Sequence, residues 1–167
     1  MHRRSLFTIF LLWGAAVAFG ADGKRAITDT DLYNFRWIAD ARIAPDGSKV
    51  IYTLVNVSPQ HDGYENALWT IPSAGGPARQ LTAGPHDSEA RWSPDGKHVA
   101  FVRTVSKDGM AHGAPLPQIF VLSMTGGDAH QLTEMPRGAA SPVWSPDSRH
   151  IAFLSNIPSR YKIPTDT

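Results

Sequence analysis

Histidines beside carboxylates, and one serine spaced from a lysine, are the residues whose types could do chemistry in this chain. His61-Asp62 and His86-Asp87 each place an imidazole next to a carboxylate, as general acid–base catalysis requires. Ser159-Arg160-Tyr161-Lys162 has the Ser-x-x-Lys spacing of some acyl-enzyme formers, but the companion motifs of that mechanism are missing. Both histidine pairs are predicted to lie in solvated loops. We therefore expect none of these residues to be catalytic.

Metal and cofactor sites are not predicted either. His98 and His150 follow a repeated turn at equivalent positions, and His112 falls in a polar loop, so we expect structural or solvated roles for all three. A metal site needs converging ligands, which this sequence does not assemble. The absence of cysteine excludes disulfides, cysteine nucleophiles and thiolate metal sites. The sequence predicts no catalytic, cofactor-binding or metal-binding residue in this chain.

A turn motif occurs three times and is the main structural signal. Its copies are Ile43–Tyr52, Trp92–Phe101 and Trp144–Phe153, and their prolines are 49 and then 52 residues apart. Each copy carries a Pro-Asp dipeptide followed by glycine or serine and then by apolar, strand-forming residues. In such a turn the proline presets φ, and the aspartate bonds the backbone that follows it. We expect Trp92 and Trp144 to lie in a core.

A second motif keeps the same period. Leu68–Ile71, Gly75-Gly76 and Gln80–Thr82 recur 51 residues later as Ile119–Leu122, a second Gly-Gly pair and a second Gln-Leu-Thr. Two independent motifs with one period of about 50 residues indicate a repeat protein. The residues between the motifs read as four strands per unit, which is the blade of a β-propeller.

The predicted fold is all-β, a partial propeller of about two and a half four-stranded blades preceded by a short helix. Blade 1 is predicted at about 40–82, blade 2 at about 89–133, and an incomplete blade 3 at about 140–167. Residues 21–39 are predicted to be a linker that contains a helix near Thr30–Arg36. Polar loops are predicted at 56–66 and 104–117. Because propellers close with four to eight blades, we expect further blades in a longer protein or an assembly that closes the ring.

Residues 1–20 have the pattern of a secretory signal peptide. Arg3 and Arg4 precede an apolar run from Leu6 to Phe19, and small residues precede a cleavage site after Gly20. An uncleaved anchor and a twin-arginine signal are the alternatives. The prediction is therefore a periplasmic or secreted protein.

The charge balance excludes some partners. Removal of the signal peptide leaves 14 basic and 15 acidic residues, so the mature chain is nearly neutral. A near-neutral chain lacks the basic surface that nucleic acid or anionic lipid attracts. We therefore expect no nucleic-acid partner and no membrane association after cleavage.

These motifs resemble the N-terminal part of the prolyl oligopeptidase family of serine peptidases, particularly its exported acylaminoacyl-peptidase-like and dipeptidyl-peptidase-like members. The resemblance extends from about Ile27 to Leu154 and rests on Leu68–Pro72, Arg79–Thr82 and Trp92–Gly96. The propeller of the periplasmic Tol system carries the same turn. However, the Tol-type protein places an α/β domain before its propeller, whereas the first blade here is predicted to begin about twenty residues after the cleavage site.

The resemblance implies a propeller that caps and gates an α/β-hydrolase domain acting on peptides. The catalytic triad of the family lies in that hydrolase domain, and the Gly-x-Ser-x-Gly nucleophile motif does not occur in these 167 residues. The chain by itself is therefore predicted to be inactive. The alternatives are a non-catalytic Tol-type scaffold that binds protein partners and a truncated, non-functional product.

Overall fold

The computed structural model describes residues 25–106 and 114–156, in which one short helix precedes ten strands. The all-β fold class is thereby confirmed. Residues 1–20, His112 and Ser159–Lys162 lie outside the described residues. The elements are α1 (Asp29–Leu32), β1 (Arg36–Ile43), β2 (Lys49–Val57), β3 (Tyr64–Pro72), β4 (Arg79–Gln80), β5 (Asp87–Trp92), β6 (His98–Val105), β7 (Leu116–Ser123), β8 (His130–Gln131), β9 (Ala140–Trp144) and β10 (Ile151–Leu154).

Helix α1 lies where the sequence predicts a short helix near Thr30–Arg36, but it begins and ends earlier, at Asp29 and Leu32. The backbone N–H of Thr28 donates to the Asp31 carboxylate at 2.8 Å, which satisfies one donor at the helix start. The helix ends at Leu32, and β1 begins at Arg36. Blade 1 therefore starts inside the segment predicted as linker and helix, because Trp37 and Ile38 pair with β2.

The strands form three antiparallel units, which we call blades 1, 2 and 3. Blade 1 has the order β1-β2-β3-β4, blade 2 has the order β5-β6-β7-β8, and the described part of blade 3 is the pair β9-β10. The fourth strands, β4 and β8, are only two residues long. The short strands suffice because side chains complete the outer edge, as described below.

The blades stack face to face with their first strands together. Strand β1 contacts β5 and β5 contacts β9, whereas β4 and β8 do not touch within the described ranges. The first strands are therefore the inner edge of the stack, and the fourth strands are its outer edge. This fan of antiparallel sheets is the arrangement of propeller blades around a central axis.

Two apolar layers hold the stack together. The layer between blades 1 and 2 is centred on Phe101, Ile51 and Leu68, and the layer between blades 2 and 3 on Ile119 and Val102. Blade 2 is thus covered on both faces, as expected for a strand segment that is apolar on both faces.

Each first strand contains a β-bulge that the sequence does not announce. Asp40, Glu89 and Ser141 have φ of +47°, +52° and +55°, and the strand register shifts beside each of them. No glycine marks these left-handed positions. The bulge kinks the inner strand and re-aims the side chain at the bulge toward the next blade.

Candidate functional site

The Pro-Asp turns form the connection between the first and second strands of every blade. In blade 2 the Gly96 N–H donates to the Ser93 carbonyl at 2.9 Å, and the Ser93 N–H donates to the His98 carbonyl at 2.8 Å. Gly96 has φ of +70°, in the left-handed region, and Ser148 takes the equivalent position of blade 3 with φ of +60°. A repeated turn chemistry therefore closes each inner hairpin.

The aspartates of these turns are structural acceptors. Asp95 accepts from the Ser93 hydroxyl at 2.5 Å and from the Lys97 N–H at 3.1 Å. These bonds, with the Ser93 hydroxyl as the largest cause, lower the pKa of Asp95. Asp147 is held in the same way by Ser145. The predicted bond from the turn aspartate to the local backbone is present in both turns.

In the first turn Ala44 stands where the other turns have a serine, and Ser48, which follows the aspartate, supplies the hydroxyl donor instead. Asp46 accepts from the Ser48 N–H at 3.0 Å and from the Ser48 hydroxyl at 2.8 Å. The pKa of Asp46 is lowered first by the Ser48 N–H and then by its hydroxyl. The carboxylate is therefore kept ionised in all three turns, although the donors differ.

The Gln-Leu-Thr motif closes the outer edge of each complete blade. The Thr82 hydroxyl accepts from the Leu68 N–H at 3.1 Å, and the Thr133 hydroxyl accepts from the Ile119 N–H at 2.9 Å. In blade 2 the Thr133 hydroxyl also donates to the Gln118 side chain at 2.9 Å. Side-chain bonds thus replace ladder bonds that the two-residue fourth strands do not make.

The repeated tryptophans connect neighbouring blades. Trp92 Nε1 donates to the Arg42 carbonyl of blade 1 at 3.3 Å, and Trp144 Nε1 donates to the Arg91 carbonyl of blade 2 at 3.0 Å. Each indole lies at the blade interface and is half-buried. Ile43 stands at the equivalent position of blade 1 and is exposed. The tryptophans therefore bridge blades, which is more specific than the core role expected of them.

The bulges supply a second set of links at the inner edge. The Asp40 carboxylate binds the Arg91 guanidinium of blade 2 at 2.6 Å and the Arg42 guanidinium at 2.7 Å. The Glu89 carboxylate accepts from the Ser141 N–H of blade 3 at 2.7 Å. Charged side chains at the bulges thereby fix the spacing of successive first strands.

A buried ion pair in blade 2 corrects the prediction for His86-Asp87. Asp87 is fully buried, and its carboxylate binds Arg103 Nε at 2.7 Å and Nη2 at 2.8 Å. Asp87 was predicted to lie in a solvated loop, but β5 begins at Asp87 and pairs it with Arg103, so its carboxylate is buried beside the guanidinium. The pKa of Arg103 is raised mainly by this hydrogen bond, and the guanidinium lies 5.0 Å from the Phe120 ring centroid.

The Asp87 and Arg103 side chains approach the backbone of Gly84 so closely that this position requires glycine. A Cβ at Gly84 would lie 2.7 Å from Asp87 Oδ1 and 2.9 Å from Arg103 Nε. Only glycine leaves room for both charged groups here. The segment that leads from blade 1 to blade 2 is therefore fitted to the ion pair.

The histidine–aspartate pair of the loop after β2, and His98, do not form a catalytic arrangement. The Ser58 hydroxyl donates to the Asp62 carboxylate at 2.7 Å, while His61 is exposed and stacks on Tyr33 with ring centroids 3.7 Å apart. The hydroxyl, imidazole and carboxylate of this loop are thus not linked as nucleophile and base. His98 lies 6.3 Å from Trp144 of blade 3, between ring centroids. Each of these two imidazoles lies beside an aromatic ring of a neighbouring element.

Two further features bear on function in the ranges 25–106 and 114–156. Those ranges hold no group of three or more histidine, cysteine, aspartate or glutamate side chains that could bind a metal ion. They also contain no helix with the length and apolar character needed to cross a membrane.

An exposed aromatic patch lies on the side of blade 1 opposite its Pro-Asp turn. We call this side the helix face, because α1 lies there, and the opposite side the turn face. Tyr33, Phe35, Trp37 and Tyr64 form the patch and are each at least 42% exposed. Sequence reasoning missed the patch, although three aromatics at alternate positions before and within β1 could have revealed it.

Together these features define a chain of β-propeller blades whose repeated side chains close each blade and join it to the next. No family model matches the chain. It is 33% identical over 135 residues to the peptidase YuxL of Bacillus subtilis, covering 80% of this chain and 20% of that protein. It is 27% identical over 125 residues to dipeptidyl-peptidase 5 of Porphyromonas endodontalis, covering 74% of this chain and 16% of that protein. The chain therefore spans a fifth or less of the length of these relatives.

Solved structures agree on the fold. The chain superposes on acylaminoacyl peptidase of Pyrococcus horikoshii with a TM-score of 0.59 and 24% identity, covering 81% of this chain and 20% of that one. It matches the β-propeller domain of the Trilobed protease of Pyrococcus furiosus with a TM-score of 0.55 and 24% identity, covering 71% and 34%. TolB of Acinetobacter baumannii matches with a TM-score of 0.54 and 24% identity, covering 72% and 27%.

The chain thus resembles two peptidases in sequence and the propellers of peptidases in fold. The resemblance inferred from the repeat motifs is thus confirmed.

Proposed function

We propose that this chain is the propeller segment of an exported serine peptidase and that it caps a hydrolase domain acting on peptides. The observation that carries the proposal is the 33% identity to a peptidase across four-fifths of the chain. The side chains that the repeat brings together make structural contacts within blades or between them. We therefore place the peptidase active site in another domain. The chain alone is then inactive.

The proposed role of the propeller is to gate access. Its first strands form the inner edge of the stack, where Asp40, Glu89 and Arg91 join adjacent blades. In a closed ring these strands would surround the axis, and a peptide would have to pass beside them. A cap of this kind admits short peptides and excludes folded proteins.

The test of the catalytic part is labelling with a fluorophosphonate probe, which reacts with active serine hydrolases. We expect the product of the whole gene to be labelled and residues 1–167 alone to remain unlabelled. If the gene product contains no Gly-x-Ser-x-Gly segment and takes up no probe, the peptidase proposal is wrong.

The test of gating compares two substrates on the same gene product. We expect cleavage of a short fluorogenic peptide and no cleavage of a folded protein that carries the same sequence in an exposed loop. Comparable cleavage of both substrates would refute gating while leaving the peptidase assignment intact.

A periplasmic scaffold is the second candidate, and the similarity to TolB favours it. In that case the chain would bind protein partners and have no hydrolase domain. Co-purification of a stable periplasmic protein with an unlabelled gene product would support the scaffold. A truncated product, the remaining alternative, would be degraded rapidly and would bind a hydrophobic dye through its uncovered blade faces.

Export through residues 1–20 completes the proposal. The expected location is the periplasm or the medium, with no nucleic-acid partner and no membrane association after cleavage. N-terminal sequencing of the mature protein should begin at Ala21. A mature protein that retains Met1 would indicate an anchor or a cytoplasmic location.

A further inference from the structure

We propose that a cavity at the turn face, between blades 1 and 2, binds a small organic carboxylate that carries an apolar side chain, such as the C-terminal residue of a peptide. The cavity has a volume of about 470 Å³, which lies in the range of small-molecule sites. We call it the blade 1–2 cavity. The inference rests on the side chains that line this cavity and does not depend on the peptidase assignment.

The strand register of blade 1 places two cationic residues on one wall of the cavity. Lys49 pairs with Pro72, and Thr70 pairs with Arg79, so the side chains of each pair share a face of the sheet. Thr70 and Pro72 lie two residues apart on β3 and therefore share that face too. The same face packs against blade 2, whose Met124 also lines the cavity.

The fold does not use the two cations of this wall. Arg79 is exposed, and its guanidinium has no hydrogen-bond or ion-pair partner within residues 25–106 and 114–156. Lys49 is likewise exposed, and the Asp46 carboxylate that precedes it in the turn already accepts from the Ser48 N–H and hydroxyl. An arginine binds a carboxylate through two parallel hydrogen bonds, so this wall favours a carboxylate ligand.

Blade 2 builds the same strands without these side chains. At the positions equivalent to Lys49, Thr70 and Arg79 it has two histidines and a valine. Thr70 is only 7% exposed, and its hydroxyl has no hydrogen-bond partner among the described residues. Because a blade folds with valine there, the fold does not need this hydroxyl, and burying it unpaired costs free energy. A ligand in the cavity that Thr70 lines would supply the missing partner.

The rest of the lining favours a ligand with an apolar body. Pro72, Pro77 and Ala78 of blade 1 and Met124 of blade 2 bound the cavity. A methionine side chain is flexible and adapts to apolar groups of different shape. Inorganic phosphate would neutralise the cations but leave this apolar surface in water, so the combined lining favours an organic carboxylate.

Isothermal titration calorimetry on the product of the whole gene tests the proposal. The protein is first treated with the fluorophosphonate probe, so that no reactive serine site is free to bind the ligands. Four ligands are compared: N-acetyl-leucine, the tripeptide Ala-Ala-Leu, the same tripeptide with a C-terminal amide, and inorganic phosphate. The amide is the matched control for the tripeptide, since it lacks only the carboxylate charge.

We expect the free carboxylate to be required for binding. Binding of N-acetyl-leucine as tightly as the tripeptide would show that a free acid suffices, and binding of the tripeptide alone would identify a peptide end, so that either result supports the proposal. The amide or phosphate binding as tightly as the carboxylates would overturn it. Failure of both carboxylates to bind would overturn it as well, and the fluorophosphonate labelling of the same protein would still decide the peptidase proposal separately.

Two pairs of variants locate the binding. Arg79→Gln should weaken carboxylate binding about tenfold or more, whereas Lys97→Gln, which changes an exposed turn-face cation outside the lining, should leave it unchanged. Thr70→Val should weaken binding about threefold without lowering the free energy of unfolding in urea. Thr53→Val, which removes a buried unpartnered hydroxyl outside the lining, should not affect binding. Unchanged binding in Arg79→Gln, or equal weakening in Lys97→Gln, would place the ligand elsewhere and overturn the proposal.

Discussion

Blade 2 and blade 1 have the same strand pattern but differ in how deeply their strands are buried. In β6 of blade 2 the four residues from Val99 to Val102 are all buried, because blades 1 and 3 cover both faces. In β2 of blade 1, burial alternates: Ile51 and Thr53 are buried against blade 2, while Tyr52 is half-buried. Position in the stack, rather than strand sequence, therefore decides how much of each strand is removed from water.

The interface polarity of the two blades also differs. Thr53 and Thr70 of blade 1 bury hydroxyl oxygens that have no hydrogen-bond partner among the described residues. Val102 and Val121 occupy the equivalent positions of blade 2. Unpartnered buried hydroxyls cost free energy, and the valines at the equivalent positions of blade 2 avoid that cost.

The largest expected effect comes from truncating matched aromatics in the two blades. Phe101→Ala should lower the free energy of unfolding by about 3–5 kcal/mol, because the ring is fully buried between blades. Tyr52→Ala, at the equivalent position of blade 1, should cost about half as much. Urea unfolding of each variant measures both values. Equal losses would mean that the outer face of blade 1 is covered in solution, which would break the comparison.

Breaking the buried ion pair should have the next largest effect. Asp87→Asn leaves the Arg103 guanidinium without its carboxylate in a site that is only partly solvated, and should cost about 3 kcal/mol. Asp40→Asn weakens a half-buried pair that joins Asp40 of blade 1 to Arg91 of blade 2, and should cost about 1 kcal/mol because both side chains keep contact with water. The same unfolding assay applies. A loss for Asp40→Asn as large as that for Asp87→Asn would show that the inner-edge links carry more stability than their exposure implies.

The two Gln-Leu-Thr motifs should differ by a smaller amount. Thr133→Val removes the acceptor for the Ile119 N–H and the donor to Gln118, and should cost about 2 kcal/mol. Thr82→Val removes only the acceptor for the Leu68 N–H, because Ala67 stands where blade 2 has Gln118, and should cost about 1 kcal/mol. Hydrogen exchange of the Ile119 and Leu68 amides measures each local loss. Faster exchange at Leu68 than at Ile119 would contradict this order.

The turn aspartates should show the smallest effect, which depends on pH. The pKa of Asp95 is lowered in the folded chain, so its stabilising contribution is present above the unfolded value of about 3.9 and is lost as the pH falls through the folded value. Ser93→Ala should raise the pKa of Asp95 and leave that of Asp46 unchanged, since the first turn already has Ala44. Carboxyl NMR titration measures both. An unchanged pKa for Asp95 would show that the Lys97 N–H alone sets it.

The sequence by itself determined the repeat, the turns and the fold class. Pro-Asp turns and Gln-Leu-Thr motifs act within a single blade through hydrogen bonds between residues close in sequence or on paired strands, so their spacing reveals them directly. The short helix before blade 1 was predicted near Thr30–Arg36, but its end at Leu32 was not, since β1 begins to pair at Arg36. The absence of a Gly-x-Ser-x-Gly motif from these 167 residues is likewise evident from the sequence alone.

Tertiary structure alone decided which residues join one blade to the next. The Asp40–Arg91 ion pair, the Glu89–Ser141 hydrogen bond and the bridge from Trp144 to the preceding blade join residues 51 to 53 positions apart. Blade stacking brings such residues together through burial of apolar layers, which no local pattern encodes. The aromatic patch of the helix face was likewise revealed by the structure, because the exposure of Tyr33, Phe35 and Tyr64 depends on which elements pack around them.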